Sequence, residues 1–182
     1  MGTHFYTKLL SVRRVSDGRT VEGGYNYANV KGYSRPRRPM HNLFSRDILL
    51  IPINFLNVHW ALAVIRLADR TITLYDSLSS TAHTDAVYAT LTHWLKDEYN
   101  DKPEQRGGYE LRENEWCSVP PREQLQQNNG FDCGVFMLMA AYFVACGHAP
   151  DVHQDDIAEC RQRIALACIR RELACFGQGS AS

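Results

Sequence analysis

Three short apolar blocks in the first half of the chain have the composition of β-strands. They are DILLIPI at 47–53, HWALAVIRL at 59–67 and TITLYDS at 71–77, and the three residues ADR connect the last two blocks. Runs of this length, rich in Ile, Val, Leu and Tyr, are typical of neighbouring strands. The pattern therefore predicts one sheet in which the second and third strands form an antiparallel hairpin.

Apolar residues in the second half recur with helical spacing. The first predicted helix begins with Thr84 or Asp85 as its cap and stops near residue 100. The apolar run that starts near Asp132 predicts a second helix, which ends at Gly147. A final amphipathic helix is predicted from about Gln154. The apolar positions that define the first and last helices are Val87, Leu91, Trp94 and Leu95, and Ile157, Cys160, Ile164 and Cys168.

The first 45 residues are predicted to be rich in loops. Gly and Asp in SDGRTVEGGYNY favour turns, and the prolines and arginines of YSRPRRPM favour a solvated segment. With 182 residues, 45% of them hydrophobic, the chain has enough apolar material for one core. We therefore expect a single domain over residues 1–176 and a disordered tail over residues 177–182.

Composition and charge exclude several classes of partner. Twenty basic and twenty acidic side chains give no net charge, so neither nucleic acid nor an anionic membrane is indicated. The longest apolar stretch, at 135–146, is too short to span a bilayer, and the first residues lack the apolar core of a secretory signal.

The six cysteines indicate reduced thiols rather than a disulfide framework or a metal site. They contain no C-x-x-C pair. The group most suggestive of zinc has spacings that match no common ligand template; it comprises Cys146, His148, His153 and Cys160. We expect an intracellular protein, nuclear or cytoplasmic, with no metal and no cofactor.

Cys133 is the candidate nucleophile. It stands between Asp132 and Gly134, where polar sequence gives way to the apolar run of the second helix. At the first turn of a helix, unpaired backbone N–H groups and the helix dipole favour a thiolate. Gly134 is expected to let another stretch of backbone approach, and the apolar helix would anchor the sulfur.

A base for this thiol is predicted at His59. His59 opens the second strand and Asp76 closes the third, so an antiparallel hairpin places them at the same end of the sheet. The carboxylate can then orient the imidazole while the other ring nitrogen faces the thiol. By this argument no other histidine has such a partner.

An oxyanion donor is expected on the loop that leads to Cys133. Gln127, six residues earlier, can offer its side-chain amide beside the backbone N–H of Cys133. Spacing alone leaves Gln126 and Asn128 as alternatives.

The motifs VHWALAV, LYDSL and QQNNGFDCGVF, in this order and at these separations, resemble the ubiquitin-like-protein-specific cysteine proteases, the sentrin (SUMO) proteases. Similarity extends to HFYTKL near the start and to FSRDILLIPI before His59, whereas residues 11–40 diverge. The resemblance implies an α+β, papain-like fold of the Ulp/sentrin protease type. A central, mostly antiparallel sheet would be packed by helices, with the nucleophile at a helix N-terminus.

The resemblance also implies a role for each candidate residue. It makes Cys133 the nucleophile and His59 the general base and acid. Asp76 would orient His59, and Gln127 would donate to the oxyanion. Trp60 would line a narrow channel for the diglycine tail of the substrate.

The implied activity is thiol hydrolysis after the C-terminal Gly-Gly of a ubiquitin-like modifier, SUMO, in precursors and conjugates, by a monomer. A deubiquitinase, a protease for a Nedd-type modifier, an acetyltransferase on the same fold and a weakly active modifier-binding protein remain alternatives. Members of the family carry a further segment before the equivalent of HFYTKL, which supplies another tryptophan to the channel. We therefore expect an incomplete N-terminus and slow cleavage.

Overall fold

The computed structural model describes residues 1–38, 40–122 and 125–171. The predicted tail at 177–182 and the end of the predicted domain lie outside these residues. The strands are β1 (Arg13–Arg14), β2 (Thr20–Val21), β3 (Ile48–Phe55), β4 (His59–Arg66), β5 (Thr71–Tyr75) and β6 (Cys117–Ser118). The α-helices are α1 (Phe5–Leu9), α2 (Thr81–Asp101), α3 (Cys133–Ala145) and α4 (Ile157–Arg170).

The main sheet has the order β3-β4-β5-β6, and its first three strands are antiparallel. The predicted strands and the hairpin are confirmed. Strand β6 adds a short parallel pairing to β5. The last pair of the hairpin joins Leu62 and Tyr75, so Asp76 and Ser77 lie just beyond the end of β5 rather than within it.

Strand β4 is buried on both faces, which explains its nearly unbroken apolar sequence. Successive side chains of a strand point to opposite faces. Ala61, Ala63 and Ile65 belong to the core that contains the buried residues of α1 and α2. Leu62 and Val64 belong to the second core, which contains the buried residues of α4 and those of α3 other than Cys133. The sheet is therefore covered by helices on both sides.

Helix α2 begins earlier than its sequence pattern predicts. Its N-cap is Ser80, whose Oγ accepts from the backbone N–H of His83 at 3.4 Å. The expected cap, Thr84, instead donates its hydroxyl to the carbonyl of Ser80. The predicted cap at Thr84 or Asp85 is therefore wrong, although all four predicted apolar positions of this helix are buried.

The two later helices also differ slightly from prediction. Helix α3 ends at Ala145, and Gly147 takes the left-handed conformation, with φ of 80°, that commonly follows a helix end. Helix α4 follows a 3-10 turn at Gln154–Asp156. Cys168 is exposed, because only the first half of α4 carries buried side chains. The predicted face of α4 is thus wrong at its last position.

The first 45 residues contain more structure than predicted. Phe5 and Leu9 of α1 are fully buried, and Phe5 contacts Trp94 of α2 edge to face, with 4.9 Å between ring centroids. A five-residue helix is too short to give a periodic signal, so sequence reasoning misses it. Within the part of the chain that the structure describes, no helix has both the length and the apolarity required to cross a membrane.

Candidate active site

His59 and Asp76 meet at one end of the sheet, where β4 begins and β5 has just ended. His59 Nε2 lies 2.7 Å from Asp76 Oδ1, and both side chains are buried. The hairpin thus brings this predicted pair together. When Nε2–H donates to the carboxylate, Nδ1 of the neutral ring is left as a proton acceptor.

The second oxygen of Asp76 is bound by another histidine. His83 Nδ1 lies 2.9 Å from Asp76 Oδ2, and the backbone N–H of Leu78 donates to Oδ1 at 2.9 Å. Burial alone raises the pKa of Asp76, but hydrogen bonds from His83, Leu78 and His59 outweigh burial and hold this pKa below its ordinary value. The expectation that no other histidine has such a partner is therefore wrong.

The early start of α2 explains why sequence reasoning misses His83. A helix that begins at Thr81 places His83 in its first turn, from which the side chain reaches back to Asp76. A helix that begins at Thr84 leaves His83 in a loop of undefined direction. Ser80 was the available signal, since serine is a favoured N-cap residue.

Cys133 is the first residue of α3 and is 6% exposed. The predicted position of the thiol at a helix N-terminus is therefore confirmed. The Asp132 side chain does not cap the helix, so it does not occupy the N–H groups of the first turn. An apolar helix packed on β4 holds the sulfur on a rigid element.

Trp60 lies beside the start of α3. A Cβ added to Gly134 would be 3.9 Å from Trp60 Cδ1, which is an ordinary van der Waals contact, and no backbone atom from the described residues outside this helix lies within 4 Å of that position. The expected close approach of backbone at Gly134 is therefore wrong, and the neighbour is a tryptophan ring. Trp60 is partly buried and packs against the second core. The start of β4 therefore lies close to the start of α3.

The loop before Cys133 is fastened through Asp132. This carboxylate accepts hydrogen bonds from Arg161 Nη2 at 2.5 Å and from Asn129 Nδ2 and Gln154 Nε2, each at 2.7 Å. The hydrogen bond from Asn129, followed by that from Arg161, holds the pKa of Asp132 below its ordinary value. Asp132 thus links the loop, α4 and the 3-10 turn before α4.

Gln127 is buried and held on both sides of its amide. Its Oε1 accepts from Ser77 Oγ at 2.6 Å, and its backbone N–H donates to the carbonyl of Ser77 at 3.1 Å. Its Nε2 donates to the carbonyl of Asn129 at 2.5 Å. Because a side-chain amide nitrogen carries two hydrogens, one remains for another acceptor.

The two alternative donors have different surroundings. Gln126 and Asn128 are both exposed, whereas Gln127 is 7% exposed. A pre-organised donor must be held in place before the reaction begins. Among these three residues, the geometry favours Gln127.

Three exposed apolar side chains lie within two residues of the site residues in the sequence. Val58 precedes His59, Leu78 follows Asp76 by two residues and Phe131 precedes Cys133 by two residues. They are 78%, 52% and 74% exposed, respectively. Sequence reasoning did not single them out, because an apolar side chain in a loop carries no periodic signal. We call Val58, Leu78 and Phe131 the apolar rim.

Comparison with known proteins identifies the class. Residues 1–173 match the Ulp1 protease family, C-terminal catalytic domain. Since the match covers nearly the whole chain, the chain belongs to the Ulp1 protease family.

Individual relatives agree with this assignment. The chain is 30% identical to the ubiquitin-like-specific protease ESD4 of Arabidopsis thaliana, over 92% of this chain and 31% of that protein. It is 32% identical to human sentrin-specific protease 2, over 78% of this chain and 24% of that protein. The chain thus spans about a third or less of these two relatives.

A solved structure is similar in fold as well. The Ulp1-like SUMO protease catalytic domain of Chaetomium thermophilum superposes with a TM-score of 0.73 at 27% identity, covering 95% of this chain and 60% of that one. The mixed architecture, with its mostly antiparallel sheet, is therefore the fold of Ulp1 protease domains, as expected from the sequence motifs.

Proposed function

We propose that this chain is a thiol protease and isopeptidase that cleaves after the C-terminal Gly-Gly of a ubiquitin-like modifier of the SUMO class. It would process modifier precursors and release modifiers from their conjugates. The names of its relatives, which are ubiquitin-like-specific, sentrin-specific and SUMO proteases, support this substrate.

One observation carries the proposal. The 2.7 Å contact between His59 Nε2 and Asp76 Oδ1 fixes the imidazole and leaves Nδ1 to exchange a proton. Cys133 begins α3, and α3 packs against β4, the strand that His59 opens. A thiol and a proton carrier therefore belong to one rigid unit. This combination is the one that nucleophilic thiol catalysis requires.

The acylation step follows from these roles. His59 Nδ1 accepts the proton of the Cys133 thiol, and the sulfur attacks the carbonyl carbon of the last glycine. The oxyanion accepts hydrogen bonds from the free Nε2–H of Gln127 and from the backbone N–H of Cys133. When the tetrahedral intermediate collapses, the C–N bond breaks and His59 returns the proton to the leaving amine.

Deacylation reverses these roles. A water molecule gives a proton to His59 and its oxygen attacks the thioester carbonyl. The C–S bond then breaks, the modifier leaves with a free carboxylate, and the proton returns to Cys133. Asp76 stays ionised throughout and stabilises the imidazolium that forms in each step.

The surface around the site suits a protein substrate. Exposed apolar side chains beside a polar site are typical of interaction surfaces. The apolar rim would contact the folded part of the modifier, while the diglycine tail enters beside Trp60. Glycine has no Cβ, so a narrow passage next to a large ring selects for it.

The five described cysteines are all unpaired thiols. Unpaired thiols are usual in a reducing compartment. This supports an intracellular location, nuclear or cytoplasmic, as part of the proposal.

The test is a panel of modifiers that end in Gly-Gly and carry a C-terminal electrophile. SUMO, ubiquitin and a Nedd-type modifier are each incubated with the chain, and covalent adducts are located by mass spectrometry. We expect SUMO to form an adduct on Cys133 fastest. Cys146→Ser is the matched control, because it removes an exposed thiol at the other end of the same helix and should leave capture intact.

Other outcomes would contradict the proposal. Faster capture of ubiquitin or of the Nedd-type modifier would replace SUMO as the substrate. Capture of none of them, combined with acetylation of the chain by acetyl-coenzyme A, would indicate the acetyltransferase activity instead.

A further inference from the structure

The carboxylate of Asp76 is shared between two imidazole rings. Its Oδ1 contacts His59 Nε2, and its Oδ2 contacts His83 Nδ1 at 2.9 Å. The side chain of His83 is 34% exposed, whereas that of Asp76 is 4% exposed. His83 thus lies on the solvent side of Asp76, and His59 lies on its buried side.

His83 is held in place by contacts independent of Asp76. Its ring stacks on Phe55, with 4.0 Å between centroids and an interplanar angle of 15°. Its backbone N–H donates to the capping hydroxyl of Ser80. Phe55 is the last residue of β3 and pairs with His59 in the sheet register, so the strand that supports His59 also supports His83.

A carboxylate resists rotation about its Cβ–Cγ bond more strongly when both of its oxygens are held than when only one is. Leu78 N–H and His59 both contact Oδ1. Among the described residues, His83 donates the hydrogen bond to Asp76 Oδ2. The second oxygen is therefore held by this ring.

We propose that His83 is a positioning residue for the His59–Asp76 pair, acting by locking the Asp76 carboxylate through Oδ2. The catalytic consequence rests on the proposed function, because it assumes that His59 and Cys133 exchange a proton. The low pKa of Asp76, to which the His83 hydrogen bond contributes, agrees with a carboxylate that stays ionised in this position.

Two variants separate the hydrogen bond from the ring. His83→Phe keeps an aromatic ring for Phe55 and removes the donor. His83→Asn removes the ring and keeps a donor close to the position of Nδ1, since the asparagine amide nitrogen is attached at the same point of the side chain. His93→Leu is the matched control, because His93 lies on the same helix, is 57% exposed and stacks on Tyr25 instead.

The first readout is turnover of a SUMO fusion with a C-terminal reporter. We expect His83→Phe to lower kcat about tenfold with little change in KM. A catalytic group displaced by 1 Å can cost about 10²-fold in rate, and we expect a smaller displacement of His59 to cost less. His83→Asn should recover most of the loss, and His93→Leu should match the parent.

The second readout does not depend on the identity of the substrate. The rate at which iodoacetamide alkylates Cys133 is followed against pH by peptide mass spectrometry. With Asp76 no longer locked, His59 supports the thiolate less well, so the half-maximal rate for His83→Phe should move to higher pH. His83→Asn should stay near the parental profile.

Parental kcat and an unshifted alkylation profile for His83→Phe would overturn the proposal. So would a loss in His83→Asn as large as that in His83→Phe, because a restored donor would then fail to restore the position of Asp76. If His83→Phe fails to fold, His83→Ala takes its place, since alanine is well tolerated in a helix. If the parent cleaves no modifier, the proposed function fails, but the alkylation profiles still decide the role of His83.

Discussion

Two aspartates of the site, Asp76 and Asp132, are buried to a similar degree but have different partners. Counting backbone and side chain together, Asp76 is 7% exposed and Asp132 is 4% exposed. Asp76 accepts from two imidazole rings and a backbone N–H. Asp132 accepts from an arginine and two side-chain amides. In both, these hydrogen bonds hold the carboxyl pKa below its usual range.

The different donors suit the two aspartates to different roles. An imidazole gains and loses a proton near neutral pH, so a carboxylate that orients one can support proton transfer. Arginine stays charged and amides do not titrate, so their carboxylate partner has a fixed environment. In the proposed function Asp76 therefore serves the reaction, whereas Asp132 fastens the loop before Cys133 to α4. Gln127 lies between them, since it contacts Ser77 next to Asp76 and Asn129 next to Asp132.

The largest effect is expected when Asp76 becomes neutral. Asp76→Asn should lower kcat about 10⁴-fold without unfolding the protein, as a misoriented imidazole does in comparable triads. The measurement is kcat on a diglycine-linked fusion together with a thermal melt. The matched control is Asp132→Asn, which makes the same chemical change at the other buried carboxylate. Near-parental turnover in Asp76→Asn would show that Asp76 is only a turn residue.

An intermediate effect is expected at the residue between the two aspartates. Gln127→Ala should lower kcat by roughly 10²-fold, because loss of one oxyanion donor costs about 10²–10³-fold. Gln126→Ala, which changes the exposed neighbour, should have little effect. Equal losses in the two variants would mean that the loop matters as a whole and that Gln127 is not the donor.

The smallest effect on turnover, and a clear effect on stability, is expected at Asp132. Asp132→Asn should lower the melting temperature at neutral pH by roughly 3 °C, because it weakens the charged hydrogen bond from Arg161 to Asp132. The effect is modest because the Arg161 side chain is half exposed. kcat should stay within a small factor of the parent. A loss of turnover as large as that of Asp76→Asn would remove the distinction between the two aspartates.

Acid should reduce the difference in stability between the parent and Asp132→Asn. The pKa of Asp132 is lowered in the folded state, so its contribution is complete above the unfolded value of about 3.9 and is lost as the pH falls through the folded value. The gap in melting temperature between the parent and Asp132→Asn should therefore narrow from about pH 6 to about pH 3. A gap that widens in acid would contradict this assignment of the low pKa.

Local patterns predict the parts of the site that depend on regular elements. The hairpin argument places His59 beside Asp76, since strand pairing alone determines which ends meet. The switch from polar to apolar sequence locates Cys133 at a helix start. These predictions need only the sheet and helix periods, and the structure contains both features.

The remaining contacts depend on side chains from elements that sequence periodicity does not connect. The His83–Asp76 bond requires the correct cap of α2, and the cap is the least regular part of a helix. The neighbour of Gly134 is the Trp60 ring from another element. The Ser77–Gln127 bond joins residues 50 positions apart in the chain. Such contacts follow from the packing of the whole domain.

Cys133 is the proposed nucleophile of this site. The most direct test is single-turnover hydrolysis of a SUMO fusion by the parent, by Cys133→Ser and by Cys146→Ser, with binding to SUMO measured separately. We predict that Cys133→Ser binds SUMO as the parent does and releases no product, while Cys146→Ser cleaves at the parental rate. Product release by Cys133→Ser at the parental rate would show that Cys133 is not the nucleophile.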